Sequence, residues 1–476
     1  MKAWKKVAAL LMMLMLLVFA SSCATFYQRY QAFNSKFEQG QLFTADQALA
    51  NDKKLREGRA RLLYFLNRGA VNSILGNYEL SNELFEEAYL MVEDYQTDYL
   101  QEALALVSNP NVITYKGELH EVLLIHYYKS LNYLKLGNYE AALVESRRLN
   151  LKLQEASDKI NSDKKYKRDA FSHLMMGISY DASEDYNNAF IAYRNAVDIY
   201  LDDYSELFNV QVPNQLKQDL LHMAVLNGFD DEKERYERIL GVKYQPRKVG
   251  DGGQMVFFWN NGLGPVKSEW SINFAVVEGA GGYVNFTNEQ YGWDFPFYLD
   301  NNNVDDEEKS GLAALSVIRV AFPKYVERPA VFESAELNGS LGSVELDKVS
   351  DINAIAFKVL EQRMVAEFGK ALLRVALKKV AEQQMKKEDK NIGAIIGLIN
   401  AASEKADTRN WQSLPHSVYY SRLPLQQGEN EIEFNTKAVD GRNQKHMIKA
   451  FGTSEKTYFH SFHSLEHQNK MPSYFQ

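Results

Sequence analysis

The chain has 476 residues, of which 46% are hydrophobic and 24% are charged. This composition is typical of globular proteins and excludes collagen-like, coiled-coil and wholly disordered chains, and the length predicts about three domains. With 54 Lys and Arg against 62 Asp and Glu, the net charge is −8, which argues against a dedicated nucleic-acid-binding protein because phosphate contacts require basic residues.

The first 22 residues have the layout of a secretory signal peptide. Three lysines within the first six residues precede an uncharged run at 7–19, and the small residues Ala20-Ser21-Ser22 then lead to Cys23. The uncharged run of about 13 residues is shorter than the roughly 20 that a bilayer-spanning helix needs. We therefore predict a cleaved signal at 1–22 rather than a transmembrane helix.

The segment Ala20-Ser21-Ser22-Cys23 resembles the lipobox of bacterial lipoproteins, and Cys23 is the sole cysteine of the chain. The resemblance implies lipidation of Cys23, palmitate included, and hence a membrane anchor. Because Ala24 rather than Asp follows, resemblance to enterobacterial sorting implies the outer membrane, with the protein facing the periplasm. The alternative is an ordinary secretory signal with a chance cysteine. A single cysteine leaves no intrachain disulfide.

Three segments between residues 61 and 243 share one spacing pattern, in which a small residue lies nine positions before a tyrosine and another lies three positions after it. The tyrosines are Tyr78, Tyr139 and Tyr186. The pattern resembles the tetratricopeptide repeat, which implies stacked pairs of antiparallel helices, with Gly-Asn at the turns because both residues tolerate positive φ. A leading helix is expected within 23–60. The alternative is a generic helical bundle.

The first helix of each repeat is expected to line a concave groove that is mostly apolar. The inward positions that we predict to bind a partner are Leu66, Ala70, Tyr127, Leu131, Leu134, Leu174 and Ile178. Such a groove favours an amphipathic helix or an extended apolar segment of another cell-envelope protein. The alternative is that the chain's own intervening helices fill it. Tyr139 is expected instead in the wedge between the two helices of its pair.

After Gly250 the sequence changes to short β-branched and aromatic runs that predict strands. These runs lie at 255–259, 271–277, 317–322, 418–423, 431–434, 447–451 and 456–462. Helices are predicted at 352–402. The predicted fold is multidomain: an all-α tetratricopeptide-like helical repeat domain at 61–243, followed by a β-rich α+β domain at 250–476 with a long helical insertion, each folding separately.

Two stretches of the second half, 262–267 and 407–415, resemble an uncharacterised family of Gram-negative outer-membrane lipoproteins. The resemblance extends over the whole mature chain. It implies no established activity, and only a loose association with lipoproteins that act on cell-wall synthesis.

Common catalytic motifs are missing from the sequence: it has no GxSxG elbow, phosphate-binding loop, HExxH or dinucleotide fingerprint. We therefore predict a scaffold in envelope or cell-wall assembly that is not an enzyme and needs neither cofactor nor metal. His460, His463 and His467 have spacings that would suit zinc on a helix, but a solvated tail is expected. Arg409 and Trp411 form either a ligand-binding pair or a structural corner. The alternative function is a ligand-binding or enzymatic module in the C-terminal domain.

Overall fold

The computed structural model of the chain describes residues 26–94, 110–158, 166–278, 283–290, 292–298, 317–388 and 405–468. The first half of the described chain is helical, and the second half contains three four-stranded sheets and one long helix. The protein is thus multidomain and combines helices with antiparallel-rich sheets. The lipidation candidate Cys23 lies outside the described residues.

The helical half consists of short leading helices followed by longer antiparallel pairs. The helices are α1 Phe26–Arg29, α2 Gln31–Glu38, α3 Leu42–Ala50, α4 Lys53–Glu57, α5 Arg61–Ile74, α6 Tyr78–Glu93, α7 Leu119–Lys135, α8 Tyr139–Ser157, α9 Ala170–Ala182, α10 Tyr186–Ile199, α11 Ser205–Phe208, α12 Asn214–Leu226 and α13 Asp230–Leu240. Where one leading helix was expected, the structure has four short ones, which end at turns such as that at Gly40, whose φ is +70°.

Small residues allow close approach within the helix pairs, as the repeat pattern predicts. A Cβ on Gly69 of α5 would lie 2.8 Å from the ring of Phe85 on α6, and one on Gly177 of α9 would overlap the ring of Tyr193 on α10. In the pair α7/α8, Ser130 takes the place of the glycine, and its hydroxyl donates to the Ala142 carbonyl at 3.1 Å. These contacts give the helical half a tetratricopeptide-type arrangement.

The turns between paired helices use left-handed backbone conformations. Gly76 and Gly137 have φ of +83° and +71°, and Glu184 adopts +60° in the third pair. A fourth pair, α12/α13, turns at Gly228, whose φ is +69°. The spacing pattern of the sequence does not identify this pair, because Gly228-Phe229-Asp230 lacks the tyrosine that follows the turn in the other three pairs.

The strands form three sheets. Their bounds are β1 Gln254–Asn261, β2 Val266–Glu278, β3 Tyr283–Asn288, β4 Trp293–Tyr298, β5 Val317–Val326, β6 Phe332–Gly339, β7 Gly342–Glu345, β8 Asp347–Asp351, β9 Ser417–Pro424, β10 Gly428–Ala438, β11 Asn443–Gly452 and β12 Thr457–His463. Sheet 1 has the order β12-β1-β9-β8, sheet 2 β11-β10-β6-β7, and sheet 3 β4-β3-β2-β5. The strands β1 and β12 are parallel, and the other paired strands are antiparallel. Each predicted strand run overlaps one strand, although several strands extend beyond the predicted run by up to five residues, as β2 does at its start.

Strand β1 is buried on both faces. All eight of its residues are buried. Phe257 and Trp259 pack against sheet 2, in a core that includes Phe434. Val256 and Phe258 point the opposite way and join the hydrophobic core of the helical pairs. Sheets 1 and 2 therefore form a sandwich whose outer face on the sheet 1 side meets the helices.

Sheet 3 packs against a long helix, α14 Ile352–Glu388, which follows β8 in the chain. Phe274 and Phe322 of the sheet contact Phe368 and Leu372 of α14 in one apolar cluster. The predicted helical region at 389–402 lies outside the described residues. Among the helices that the structure describes, none has both the length and the apolar character needed to cross a bilayer.

Candidate functional site

The seven predicted groove residues are buried in the structure. The exposed fraction of each side chain is 1% or less: Leu66 1%, Ala70 0%, Tyr127 1%, Leu131 1%, Leu134 1%, Leu174 0% and Ile178 1%. All seven belong to one hydrophobic cluster that also contains Phe258, Val418 and Trp411 of the C-terminal domain. The prediction of an open partner-binding groove is therefore wrong for this structure.

The chain's own C-terminal domain occupies the groove. The Tyr127 hydroxyl donates to Asn260 Oδ1 at 2.9 Å, and the rings of Phe171 and Phe258 lie 6.4 Å apart. The alternative of a self-filled groove holds, but sheet 1 fills it rather than the intervening helices. Because the apolar face of β1 needs a cover as much as the groove does, packing the two together removes both surfaces from water. The two halves thus share one core.

Tyr139 does not sit in the wedge between α7 and α8. It is half-buried at the start of α8, and its ring lies 6.0 Å from that of Phe459 on β12. The wedge position of this pair holds Ser146, whose hydroxyl lies 3.1 Å from that of Ser130. Tyr139 therefore contributes to the domain interface rather than to the packing of its own helix pair.

A buried charge network crosses the interface between the helices and sheet 1. Arg422 of β9 contacts Asp181 of α9 at 2.8 Å and Asp219 of α12 at 3.0 Å. Arg247 contacts the same two carboxylates at 2.9 and 3.0 Å. The Tyr420 hydroxyl donates to Asp219 at 2.7 Å. Two arginines thus neutralise two aspartates, which is the condition under which charges remain stable in a protein interior.

The network also determines the ionisation of its members. Burial raises the pKa of Asp219, but the guanidinium groups of Arg422 and Arg247 outweigh it, and the net effect is a lowered pKa. Burial lowers the pKa of Arg422, but Asp219 outweighs it and holds that pKa well above its usual range. Both side chains are therefore charged at neutral pH, and each depends on the other.

A second buried network surrounds the start of α7. Glu118 is paired with Lys267 of β2 and with Arg363 of α14, the latter at 2.6 Å. Burial raises the pKa of Glu118, but these two cations outweigh it and hold the pKa at about 2. Three residues on, Glu121 accepts from the Trp411 backbone N–H at 2.6 Å and from the Tyr115 hydroxyl at 2.6 Å. This network joins α7 to both sheet 3 and the segment after residue 405.

A cavity of about 230 Å³ opens beside this second network. Its walls come from the loop at 110–118, from β5, from α14 and from the segment at 406–409. The charged side chains that line it are Lys116, Glu118, Arg363, Arg374, Asp407 and Arg409. Phe322, Pro323 and Ala371 contribute apolar surface. The sequence analysis singled out one of these residues, Arg409. The lining comes from four separate segments, and no sequence pattern indicates that they meet.

Arg409 and Trp411 are both buried and make structural contacts with other parts of the chain. Arg409 is 5% exposed, and its Nη2 donates to Asp407 at 2.6 Å while its Nη1 donates to the Ile113 carbonyl at 2.8 Å. Trp411 is 1% exposed and its ring lies 5.7 Å from that of Phe85. Arg409 places its charge beside the cavity, whereas Trp411 closes the groove of the first helix pair.

The histidines near the C-terminus are not on a solvated tail. His460 and His463 lie on β12 and are 2% and 1% exposed, so that expectation is wrong for both. Burial lowers the pKa of His463 to about 3. Over the residues that the structure describes, no three or more His, Cys, Asp or Glu side chains are grouped so as to hold a metal ion.

Comparisons with known proteins give distant structural similarity. No protein-family model matches the chain, and no curated protein matches its sequence. The apo form of RapI is similar over 45% of this chain and 52% of RapI, with 16% identity and a TM-score of 0.34. This chain thus spans about half the length of RapI.

Two structures of MamA are also similar. One covers 43% of this chain and 90% of MamA, with 14% identity and a TM-score of 0.28. The other, residues 41 to the end of MamA from Desulfovibrio magneticus RS-1, covers 46% of this chain and 95% of its own length, with 14% identity and a TM-score of 0.30. RapI and MamA are helical-repeat proteins of the tetratricopeptide type. At these TM-scores the repeat assignment for this chain rests on its own helix pairs.

Proposed function

We propose that the protein is a lipoprotein of the outer membrane, anchored through Cys23 and facing the periplasm, which docks another cell-envelope protein in envelope or cell-wall assembly. It acts without catalysing a reaction. Because sheet 1 fills the helical groove, the docking surface lies elsewhere, and we place it on sheet 2.

The start of the described chain limits how far the proposed anchor at Cys23 would lie from the folded protein. The backbone N–H of Phe26, three residues after Cys23, donates to Thr408 Oγ1 at 3.0 Å in a buried contact. Three residues of extended chain reach at most about 11 Å. Lipid chains on Cys23 would therefore hold the region around Thr408 close to the membrane surface.

The observation that carries the docking proposal is the edge strand of sheet 2. Among the strands that the structure describes, β11 pairs with β10 alone. Its outward side chains Met447 and Phe451 are 50% and 60% exposed. A free strand edge offers unpaired backbone donors and acceptors, and proteins normally protect such an edge unless a partner uses it. An extended segment of the partner would add to the sheet beside β11, with apolar side chains over Met447 and Phe451.

Site-specific photocrosslinking in intact cells tests the docking surface. A photoreactive phenylalanine analogue at Phe451 should give one defined adduct with an envelope protein, and Met447→Glu should reduce the yield without changing the melting temperature. The matched control places the analogue at Leu151 of α8, which is 59% exposed. Equal adducts from both positions, or none from Phe451, would contradict a docking site on β11.

Replacing the lipid acceptor tests the anchor separately. Cys23→Ser removes the thiol, so the protein should remain uncut or appear in the soluble periplasmic fraction, without labelled palmitate. An outer-membrane fraction that still contains labelled Cys23→Ser protein would rule out the anchor.

A further inference from the structure

Strand β11 presents cationic and apolar side chains in alternation along its exposed face. From residue 445 onward, exposed residues alternate with less exposed or buried ones. The side chains of the exposed row are, in order, Lys445, Met447, Lys449 and Phe451, and the two lysine side chains are 67% and 64% exposed. Because successive side chains of a strand point to opposite faces, a strand added beside β11 would meet all four on one face.

The neighbouring strand β10 has the opposite charge on the same face. Lys449 Nζ lies 3.5 Å from Glu431, and Lys445 Nζ lies 3.0 Å from Glu433. Each lysine therefore has a carboxylate on its β10 side. Among the strands that the structure describes, no strand lies on the other side of β11. An added strand would thus approach the two lysines from the side away from the glutamates.

The lysines determine which side chains can pair there. Side chains directly opposite on adjacent strands are about 4.5–5.5 Å apart, where opposite charges stabilise the pair and like charges destabilise it. The glutamates of β10 would lie two strand spacings from the added strand, about 10 Å away, which is close to the screening length at about 0.1 M salt. The nearer lysines therefore outweigh them, and acidic side chains are favoured opposite Lys445 and Lys449.

A second copy of β11 does not meet this requirement. In a two-fold antiparallel pair, the register that places Met447 opposite Phe451 also places the two Lys449 side chains opposite each other. The register that places Met447 opposite Met447 of the second copy sets Lys445 opposite Lys449. Like charges directly opposite destabilise such a pair. Lysines on an edge strand thus exclude self-pairing and admit a partner of opposite charge.

We propose that the partner segment which adds to β11 is acidic, with acidic and apolar side chains alternating on one face. The acidic side chains lie opposite Lys445 and Lys449, and the apolar ones lie opposite Met447 and Phe451. This inference rests on the proposed docking surface and adds the charge pattern of the partner. The alternation is the same in both chain directions, so the segment fits in parallel or antiparallel orientation.

Fluorescence anisotropy of the full-length protein in detergent tests the proposal with three labelled peptides. In each peptide every second residue is threonine, and the remaining positions alternate valine with glutamate, glutamine or lysine. The glutamate peptide should bind at least fivefold more tightly than the lysine peptide, with the glutamine peptide between them. The difference should shrink as salt rises. Equal affinities, or no saturable binding of the glutamate peptide, would overturn the proposal.

Charge reversal on β11 locates the peptide at this edge. In Lys445→Glu/Lys449→Glu the lysine peptide should bind more tightly than the glutamate peptide. The control Arg238→Glu/Lys243→Glu changes the net charge equally at side chains that are 72% and 86% exposed, and it should keep the wild-type preference. If the reversed charges loosen β11 from β10, Lys445→Gln/Lys449→Gln decides. The preference should then disappear, and an unchanged preference would overturn the proposal.

The results separate this inference from the docking surface itself. An adduct from Phe451 in cells, together with equal affinities for the three peptides, would overturn the acidic pattern alone. No adduct and no peptide binding would overturn docking on β11 as well. Sedimentation of the unlabelled protein tests the other occupant: a dimer that the glutamate peptide dissociates would assign the edge to a second copy and overturn the proposal.

Discussion

Arg422 on β9 and Asp219 on α12 form an ion pair inside the protein, with 3.0 Å between Nε and Oδ1. Their side chains are 5% and 0% exposed. One residue belongs to the sandwich and the other to the last helix pair, so the contact ties sheet 1 to the helical repeats in one orientation. Because a buried charge without a partner is strongly destabilising, neither residue tolerates loss of the other.

Arg422→Met should lower the free energy of unfolding by about 3–5 kcal/mol, the cost of removing one partner of a buried ion pair. Arg247 remains near both aspartates, which places the expected value at the lower end. Urea denaturation followed by circular dichroism measures the effect. The matched control is Arg442→Met, whose side chain is 75% exposed and pairs with Asp440, and which should leave the free energy of unfolding close to the wild-type value, because an exposed ion pair contributes little. Similar costs for the two variants would show that the buried pair does not tie the domains together.

The close contact between Gly69 and Phe85 predicts a coupling between these residues. Gly69→Ala should destabilise the protein by about 1–2 kcal/mol, because the new methyl group overpacks the ring. In a Phe85→Leu background the same change should cost at least about 1 kcal/mol less, since the ring is gone and alanine favours the helix. Urea denaturation of the four proteins gives the double-mutant cycle.

Gly76→Ala is the control for that cycle. Gly76 has φ of +83° and open space around it, so the destabilisation caused by Gly76→Ala comes from backbone strain. That cost should be the same with and without Phe85→Leu. If the destabilisation caused by Gly69→Ala is the same with and without the Phe85 ring, Phe85 does not form the predicted wedge against Gly69.

The helix pairs and most strands could be predicted because their signals are local. The small residue and the aromatic that meet across a pair, such as Gly69 and Phe85, are 16 positions apart, so one repeat contains the whole pattern. Runs such as 255–259 indicate strands from residue type alone. Five strands were not predicted: β3, β4, β6, β7 and β8. Their side chains are mixed in polarity, so residue type alone does not identify them, and they are ordered by pairing with neighbouring strands.

The filling of the groove depends on contacts between distant parts of the sequence, which the repeat pattern does not contain. An inward Leu131 has the same spacing whether a partner or sheet 1 covers it. One feature of the sequence did indicate that the groove is filled: 255–259 is an uninterrupted apolar run, and a strand of that kind is buried on both faces. Sheet 2 covers one face of this strand, and the helical groove covers the other. The charge networks had no comparable signal, since Arg422 and Asp219 come from unrelated segments.

The self-filled groove predicts the relative effects of Leu131→Glu and Tyr139→Ala. Leu131 is 1% exposed, and a carboxylate there has no partner, so we expect a loss of more than about 3 kcal/mol. Tyr139 is half-buried, and its removal should cost about 1–2 kcal/mol, less than the roughly 3–5 of a fully buried aromatic. Thermal and urea denaturation measure both variants.

Leu151→Glu places the same charge at a site on α8 that is 59% exposed, and it should change stability by less than about 0.5 kcal/mol. If Leu131→Glu keeps wild-type stability, the groove is open in solution and the original prediction of a partner site at Leu131 would be restored.

The buried carboxyl of Glu121 predicts a pH dependence of stability. Burial raises the pKa of Glu121 from 4.5 to about 7, and the Glu118 carboxylate acts in the same direction. Between these two values the folded state retains a proton that the unfolded state has released. The free energy of unfolding therefore falls as pH rises through this window, by up to about 1.4 kcal/mol per pH unit from this group.

Glutamine at this position cannot titrate, so the difference in unfolding free energy between wild type and Glu121→Gln should decline from pH 4.5 to pH 7 and level off above that range. Groups common to both proteins, such as the buried His463, largely cancel in this difference. Urea denaturation at half-unit pH steps measures it. Glu140→Gln, at an exposed position on α8, should follow the wild-type curve. A constant difference between wild type and Glu121→Gln across the window would mean that Glu121 is ionised in the folded protein, with Tyr115 and the Trp411 backbone N–H stabilising the charge.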